Sequence, residues 1–536
     1  MARPAAQTGG LAPTRRHPTD ALYFPSRPNS RHIRHFRHDF VIFTAPLPRK
    51  VDVVYAVFHA FPICRVHGAT LRVETPTRSS RDKHAPLRDD SKVAGRAPRR
   101  VAGVVPYQSR AGSPHVIELP KELETQARAT FATRFGGEPE VVAVAPSRVE
   151  LLGNHTDYNG GLVLAAAIDR HTVVVGRALP ASRDARVHAV NLNEDDAFAV
   201  DAFEPTAKGS WSRYVRGVLW ALSTRCGSPA TGFEAVIVGD VPLGAGLSSS
   251  ASLQAAEALF LIASGVIPSA PPFDRLDSKN ADEANDARVE LAKTLQRSEN
   301  EFVGVASGLL DQFTVILGRR DHALLLDCAT AAHSLVPLGS PAPAIVVCDS
   351  GTSRQLADGM YNTRRAESDR IVEYFAARRP RPGAGEFLLS FIALDDLNEA
   401  WDKLDPIGRR RARHVLTENE RVQAGADALR RGDAAELGRL MSASHSSSRD
   451  DFENSSPALD ALIESAAKSP GFLGGKLSGA GWAGCTVNLV DAESADAFAA
   501  SVTEQYRAAT GNEATVHVLH AAAGAAAARA TPKPVE

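Results

Sequence analysis

A turn rich in glycine and serine, placed between a strand pattern and a helix pattern, constrains the fold of this chain more than any other segment. The turn occupies Gly239–Ser252. It follows the apolar run Phe233–Val238, which predicts a strand, and it opens Ser250–Ser264, whose apolar residues share one face and predict a helix. Because Gly244 and Gly246 have no side chain, the backbone can bend sharply there and approach a ligand closely. The sequence therefore predicts a β–turn–α unit.

The polar groups of this turn are suited to holding phosphate. The hydroxyls of Ser248, Ser249 and Ser250 and the free amides of the first helical turn can donate hydrogen bonds to phosphate oxygens. The turn differs from a Walker A loop because no Gly-Lys-Ser/Thr follows it. One serine hydroxyl could instead ligate Mg²⁺, which prefers oxygen donors. The alternative is a turn that caps a helix without any ligand.

A second polar segment, Ala145–Gly161, lies between apolar runs. Its strand pattern alternates Arg148 with apolar residues, so the guanidinium can point away from the core. Asn154, His155 and Asp157 follow in a loop flanked by glycines. Such a loop can present several hydrogen-bonding side chains to a polyol. The alternative is a turn whose side chains bond only to the local backbone.

Two later segments add carboxylates and another glycine turn. The stretch Glu299–Phe313 carries Glu299 and Asp311 beside apolar neighbours. An acid in such surroundings is either a helix cap or a buried functional carboxylate. The stretch Leu477–Val487 is a glycine-rich turn that runs into a strand pattern. Its glycines would let the backbone of a second domain close over a ligand, although a simple tight turn is the alternative.

The beginning of the chain differs in composition from the rest. Residues 1–115 contain 20 Lys and Arg against 7 Asp and Glu, a net charge of +13, whereas the whole chain carries −1. A composition rich in Arg, His and Pro favours disorder. Three interpretations stay open for this segment: a poorly ordered tail or over-long translated start, an organelle-targeting segment, and a nucleic-acid-binding arm.

Prolines and a glycine within residues 333–343 mark a candidate domain boundary. We expect residues 1–114 to be a disordered extension, 115–335 a first domain, 336–522 a second domain, and 523–536 a frayed, alanine-rich tail. The five cysteines form no CxxC pair, which argues against a disulfide framework or a zinc site and favours a cytoplasmic location. Apolar runs are too short to predict a transmembrane helix.

Together these segments resemble the galactokinases, a family within the GHMP kinase superfamily. The matching segments are, in the family's order, Arg148–Gly161, Gly246–Ser252, Gly308–Gln312, Asp349–Arg365, Arg449–Glu453 and Gly479–Thr486. The resemblance implies an α+β fold with the two-domain GHMP kinase architecture, mixed sheets with helices packed on one face, and an active site in the cleft between the domains. It also implies ATP-dependent phosphorylation of the anomeric hydroxyl of galactose, with Mg²⁺ as cofactor. We expect a monomer that binds the sugar and ATP, without nucleic acid or membrane partners.

The resemblance assigns roles residue by residue. Asp311 would face the reacting hydroxyl, and Arg148 would stabilise charge near it. Ser250 and Glu299 would hold Mg²⁺ against the phosphates. The residues implied to bind ATP are Gly244, Ala245, Gly246, Leu247, Ser248, Ser249 and Ser250. The residues implied to line the sugar pocket are Asn154, His155, Thr156, Asp157, Gly308 and Tyr361.

The chain departs from the family pattern at Asn154, where galactokinases usually carry Glu. A carboxylate only accepts hydrogen bonds, whereas an amide donates and accepts and is one methylene shorter. The hydrogen bonds that the sugar pocket can offer at this position must therefore differ from those in galactokinases with Glu. Two other functions stay open: a related GHMP kinase acting on a different sugar, and a sugar sensor without catalysis. The intact serines of Ser248–Ser252 and the presence of Asp311 argue against the sensor.

Overall fold

The computed structural model describes residues 119–203, 210–227, 230–242, 246–268, 270–352, 357–378 and 387–529. These residues all belong to one compact unit, Asp90–Glu536. The expected extension, residues 1–114, lies outside the described residues, so its three interpretations stay predictions. Among the described residues, no helix combines the length and the apolar character needed to cross a membrane.

Helices and strands alternate along most of the described chain. The helices are α1 (Lys121–Phe135), α2 (Ser212–Cys226), α3 (Ser249–Ser264), α4 (Ala281–Arg297), α5 (Leu310–Leu317), α6 (Ala357–Ala376), α7 (Leu394–Ala400), α8 (Pro406–Arg430), α9 (Ala434–Ser447), α10 (Pro457–Ala467) and α11 (Ala495–Thr510). The strands are β1 (Val141–Leu152), β2 (Leu162–Leu179), β3 (Asp184–Ala189), β4 (Glu194–Ala199), β5 (Gly232–Gly239), β6 (His322–Asp327), β7 (His333–Pro337), β8 (Ala344–Asp349), β9 (Phe472–Leu477), β10 (Cys485–Val490), β11 (Thr515–Leu519) and β12 (Ala526–Arg529).

The larger sheet has eight strands and is built around β1 and β2. Its main order is β12-β1-β2-β5-β3-β4, and β6 and β7 extend from β2. Strands β3 and β5 run parallel and the other pairs are antiparallel, so the sheet is mixed. We call this sheet with α1–α5 the first lobe.

Successive residues of a strand point to opposite faces, and both faces of the first sheet are buried. Ala143 and Val174 pack into the core that includes Phe260 of α3. The adjacent residue Val142 packs instead with Phe131 of α1 on the other face. Helices therefore cover both faces of this sheet, because β1 and β2 are apolar on both sides. We expected helices on one face only.

The smaller sheet has four antiparallel strands in the order β11-β8-β10-β9. We call this sheet with α6–α11 the second lobe. Val346 of β8 packs with Phe498 of α11. The neighbouring Val347 packs into a core that also contains Val149 and Leu164 of the first sheet. This shared core fixes the end of β1 against the second lobe, which is where the polar loops meet.

The chain passes from the first sheet to the second between Pro337 and Ala344. This is close to the proposed boundary at 335/336, which remains our proposal. The expectation of a frayed tail over 523–536 is wrong for Ala526–Arg529, because this segment is β12 and pairs with Val141–Val144. Its backbone groups find partners at a sheet edge, which a composition of alanines does not reveal. Residues 530–536 lie outside the described residues.

Candidate active site

The turn that opens α3 is fixed by contacts with β1. Gly246 and Ser248 have positive φ angles of 76° and 57°. The carbonyl of Leu247, a residue only 1 % exposed, accepts a hydrogen bond from the hydroxyl of Ser147, and Nη1 of Arg148 donates to the carbonyl of Gly246 at 2.8 Å. Ser248 precedes the helix without capping it through its side chain. The first-turn amides, which include those of Ser249 and Ser250, are the donors that a helix N-terminus offers to an anion.

Asp311, in the first turn of α5, receives donors on both carboxylate oxygens. Nε and Nη2 of Arg148 each lie 2.7 Å from Oδ1. The hydroxyl of Ser248 donates to Oδ2. The Arg148 side chain is 7 % exposed and that of Asp311 is 25 % exposed, so the carboxylate remains open to a ligand while its partner is enclosed. The structure thus places Ser248, in the turn predicted to hold phosphate, in contact with the predicted catalytic pair of Arg148 and Asp311.

Glu299 lies on a π-helical turn, Ser298–Val303, that follows α4. Such turns are rare and occur frequently at functional sites. Its Oε2 accepts hydrogen bonds from Gln312 Nε2 at 2.6 Å and from Ser307 Oγ at 3.0 Å. Its Oε1 lies 3.5 Å from the hydroxyl of Ser250. The two predicted metal-binding residues are therefore neighbours.

Burial raises the pKa of Glu299 to about 7, and the negative charge of Asp311 contributes in the same direction. A carboxylate held in this way would gain from a cation beside it. The described residues contain no group of three His, Cys, Asp or Glu side chains that could hold a metal ion. Oxygen donors from Ser250 and Glu299 suit Mg²⁺, provided that the phosphates of a nucleotide and water supply the rest of its shell.

Asp157, at the start of a 3₁₀ turn after β1, is brought to the same place. Burial raises its pKa to about 7, and the charges of Asp311 and Glu150 add to the shift. A Cβ atom placed on Gly308 would lie 2.1 Å from Oδ2 of Asp157. Glycine is therefore required at 308 for this carboxyl group to occupy its position. Asp157, Gly308 and Asp311 therefore lie near one another.

His155 is a neutral residue that links the loop to the second lobe. Burial lowers its pKa to about 3, so the ring carries no proton charge near neutral pH. Its Nε2 lies 3.0 Å from the carbonyl oxygen of Ala480, which can only accept, so this nitrogen is the donor. Its Nδ1 then accepts from the hydroxyl of Tyr158 at 2.9 Å. Both ring nitrogens thus have partners within the protein.

Asn154 and Thr156 also direct their polar atoms into the protein. The Thr156 side chain is fully buried, and its hydroxyl lies 2.7 Å and 2.6 Å from the carbonyl oxygens of Gly153 and Leu162. Asn154 is 1 % exposed, and its Nδ2 donates to the carbonyl of Gly479 at 2.8 Å. We expected both side chains to line the sugar pocket. These bonds hold the loop in place, and the implied contacts of Asn154 and Thr156 with a sugar remain predictions.

Sequence reasoning missed the residues of the second lobe that support this loop. Glu418 of α8 accepts from the amide of Gly153 at 2.9 Å and from that of Asn154 at 3.3 Å. Lys476 of β9 forms a buried ion pair with Glu150 of β1, with Nζ 2.7 Å from Oε1. Glu418 lies in a charged helix and looks solvent-exposed in the sequence, so no local pattern indicated either contact.

The roles of all the predicted site residues remain predictions, and for three of them the structure describes no atoms that could bind a ligand. Gly244 and Ala245 lie outside the described residues. Tyr361 falls within α6, but its side chain is not among those described. Their implied roles in binding ATP and sugar therefore remain predictions.

The class of protein follows from the family models that match both lobes, which are those of the GHMP kinases, a class of small-molecule kinases. The "GHMP kinases N terminal domain" model matches residues 213–319, the "GHMP kinases C terminal" model matches 426–508, and the "Galactokinase galactose-binding signature" matches 129–178. The chain belongs to the galactokinase family.

Relatives and a solved structure support this assignment over most of the described chain. The chain is 41% identical to the galactokinase of Roseiflexus sp., over 74% of this chain and 96% of that protein. It is 38% identical to the galactokinase of Homo sapiens, over 75% of this chain and 96% of that protein. The crystal structure of Lactococcus lactis galactokinase complexed with galactose superposes with a TM-score of 0.68 at 31% identity, covering 76% of this chain and 99% of that one.

Proposed function

We propose that this chain transfers the terminal phosphoryl group of ATP to the anomeric hydroxyl of galactose, giving galactose 1-phosphate and ADP. The observation that carries the proposal is the junction of Asp311 with Ser248 of the α3 turn and with Arg148. Because Asp311 accepts a hydrogen bond from the turn that would hold the phosphates, its carboxylate lies where a sugar hydroxyl could approach a phosphate. The names of the relatives and the galactose-bound Lactococcus structure supply the sugar.

Phosphoryl transfer depends mainly on positioning and on neutralising charge. The turn Gly246–Ser250 would hold the phosphates, and Ser250 with Glu299 would hold Mg²⁺ against them. When bound, the cation would offset the negative charge of the phosphates. Asp311 would accept the proton of the attacking hydroxyl, or orient that hydroxyl while the proton leaves late. Arg148 keeps Asp311 in place and screens the developing negative charge.

Two alternatives from the sequence can now be weighed. A sensor without catalysis would not need the paired donors on Asp311, so this geometry favours an enzyme. A related kinase that acts on a different sugar would be distinguished from a galactokinase by the sugar phosphate that it produces. We further propose that the protein acts as a cytoplasmic monomer, a proposal that sedimentation and fractionation would test.

Product identification tests the proposed reaction. The purified full-length chain would be incubated with ATP, Mg²⁺ and a panel of hexoses, pentoses and N-acetylhexosamines, and the phosphorylated product identified by NMR. We expect galactose 1-phosphate, and Asp311→Asn should lower turnover by about 10²–10⁴-fold. Asp321→Asn is the matched control, because Asp321 is exposed and has a positive φ angle that asparagine tolerates. Phosphorylation of another sugar, or an Asp311→Asn variant with near-native turnover, would contradict the proposal.

A further inference from the structure

The side-chain amide of Asn154 is one of the groups that attach the loop after β1 to the second lobe. Nδ2 of Asn154 donates to the carbonyl of Gly479 at 2.8 Å. Oδ1 of Asn154 accepts from Nδ2 of Asn454 at 2.9 Å and from the hydroxyl of Ser448 at 3.3 Å. These partners follow Asn154 by about 300 residues in the sequence and all lie in the second lobe.

The partners fix both the orientation and the charge of this side chain. If the amide were flipped, its oxygen would face the carbonyl oxygen of Gly479, and its nitrogen would face the donor of Asn454. A carboxylate at 154 would meet the same carbonyl with a negative oxygen. The site is thus built for a neutral group that donates on one side and accepts on the other.

Asn454 is placed for this contact by its own surroundings. It is fully buried and follows Glu453, which has a φ of 57°. Its Nδ2 also lies 3.1 Å from the carbonyl of Ala480, the group that accepts from His155. Within the described residues its Oδ1 has no hydrogen-bond partner. Asn454 therefore contributes through its nitrogen, which bridges the sugar-facing loop and the glycine turn.

We propose that Asn154 and Asn454 form an amide pair between the lobes that positions the loop Gly153–Asp157, so that Asn154 is a positioning residue rather than a contact of the sugar. The backbone of Asn154 is held at the same place, since its amide donates to Glu418 and its carbonyl accepts from His414. Glu418 and His414 are thus two titratable groups in contact with the backbone of Asn154. The departure from Glu at this position then has a physical reason: a neutral amide is required by Gly479 and Asn454.

The pair sets the position of Asp157, three residues further along. Asp157 lies against Gly308 in a space that admits no extra atom. A shift of the loop would therefore disturb the sugar side of the site before the nucleotide side, which is anchored by Ser147 and Arg148 on β1. The kinetic part of this inference rests on the proposed function, but the contribution of the pair to folding does not.

Two variants separate this role from a general structural one. Asn154→Asp keeps the shape and introduces a carboxylate, whereas Asn454→Ala removes the nitrogen without adding a titratable group. Loss of a buried hydrogen bond of this kind corresponds to about 10- to 100-fold in an equilibrium constant. We expect both variants to raise the hexose KM by about that factor and to change the ATP KM and kcat by about twofold or less. Asn512→Asp, at an exposed loop position, is the control.

The pH dependence distinguishes the two variants. On going from about pH 8 to pH 6, the hexose KM of Asn154→Asp relative to the native protein should fall, because the introduced carboxyl group regains a donor to Gly479 once it is protonated. The ratio for Asn454→Ala should stay constant. A native-like hexose KM for Asn154→Asp at about pH 8, an equal loss in kcat and ATP KM, or the same pH response in both variants would overturn the proposal.

Thermal unfolding without substrate gives a second, independent readout. The melting temperature of Asn154→Asp should fall further below that of the native protein as the pH rises from about 6 to 8, and that of Asn454→Ala should not. If the native protein phosphorylates no hexose, the proposed function fails while this readout still decides on the amide pair. A melting difference for Asn154→Asp that is independent of pH would overturn the pair itself.

Discussion

The buried ion pair between Lys476 and Glu150 gives the sharpest test of how the two lobes are held together. Lys476 is completely buried and Glu150 is 5 % exposed, and their charged atoms lie 2.7 Å apart. At an effective dielectric constant of about 20, two charges at this distance attract each other by about 6 kcal/mol. Taking both ions out of water offsets much of that attraction, so the intact pair contributes little net stability.

Removing one member alone has a different result. Lys476→Met keeps most of the side-chain volume but leaves the Glu150 carboxylate buried without its cation. We expect the free energy of unfolding to fall by about 3–5 kcal/mol. The double variant Lys476→Met/Glu150→Met should recover most of this loss, because no uncompensated charge remains.

Urea unfolding of the native protein, the single variants Lys476→Met and Glu150→Met, and the double variant measures these differences in a double-mutant cycle. The matched control is Lys468→Met, since Lys468 is exposed at the end of α10. A loss below about 1 kcal/mol for Lys476→Met would refute the reasoning. A double variant no more stable than the single one would also refute it, because the loss would then come from packing rather than from charge.

Three further predictions concern single carboxyl groups and one glycine. Glu299→Gln should raise the Mg²⁺ concentration that gives half-maximal turnover, and an unchanged metal requirement would remove Glu299 from the cation site. Gly308→Ala places a Cβ 2.1 Å from Asp157 Oδ2 and should raise the hexose KM by about tenfold or more while leaving the ATP KM unchanged; equal changes in both constants would contradict this. Glu257 of α3 is buried, neither of its carboxylate oxygens has a partner among the described residues, and burial raises its pKa to about 8. Because the folded state binds this proton more tightly than the unfolded state, the free energy of unfolding should fall by up to about 1.4 kcal/mol per pH unit between roughly pH 4.5 and 8. In urea unfolding, Glu257→Gln should reduce this dependence of the unfolding free energy on pH. If the dependence were the same in the variant, it would arise from other groups.

The elements and residues that the sequence predicted are those defined by local pattern or by motif. The strand expected at Phe233–Val238 is Gly232–Gly239, and the helix expected at Ser250–Ser264 is Ser249–Ser264. Apolar periodicity and a glycine turn suffice for both. The resemblance to the galactokinases implied that Arg148 acts close to Asp311, and the structure places the two groups in contact.

The supports of the site could not be predicted in the same way. Glu418 and Lys476 contact residues roughly 265 and 326 positions away, and each is a charged residue that usually faces solvent. Whether such a group is buried depends on which elements pack on it, and that is decided by the tertiary fold. Asn154 is a similar case. The sequence shows an Asn where galactokinases usually have Glu, but the direction in which its side chain points depends on its contact with the distant Asn454.

The edge of the first sheet is completed by β12, which comes after every other strand of that sheet in the sequence. Val141–Val144 of β1 can therefore pair with Ala526–Arg529 only after more than half of this sequence has been synthesised between them. Until Ala526–Arg529 has been synthesised, this edge of the nascent sheet lacks its neighbouring strand and offers unpaired backbone groups to other chains. A product cleaved before Ala526 would keep this edge unpaired.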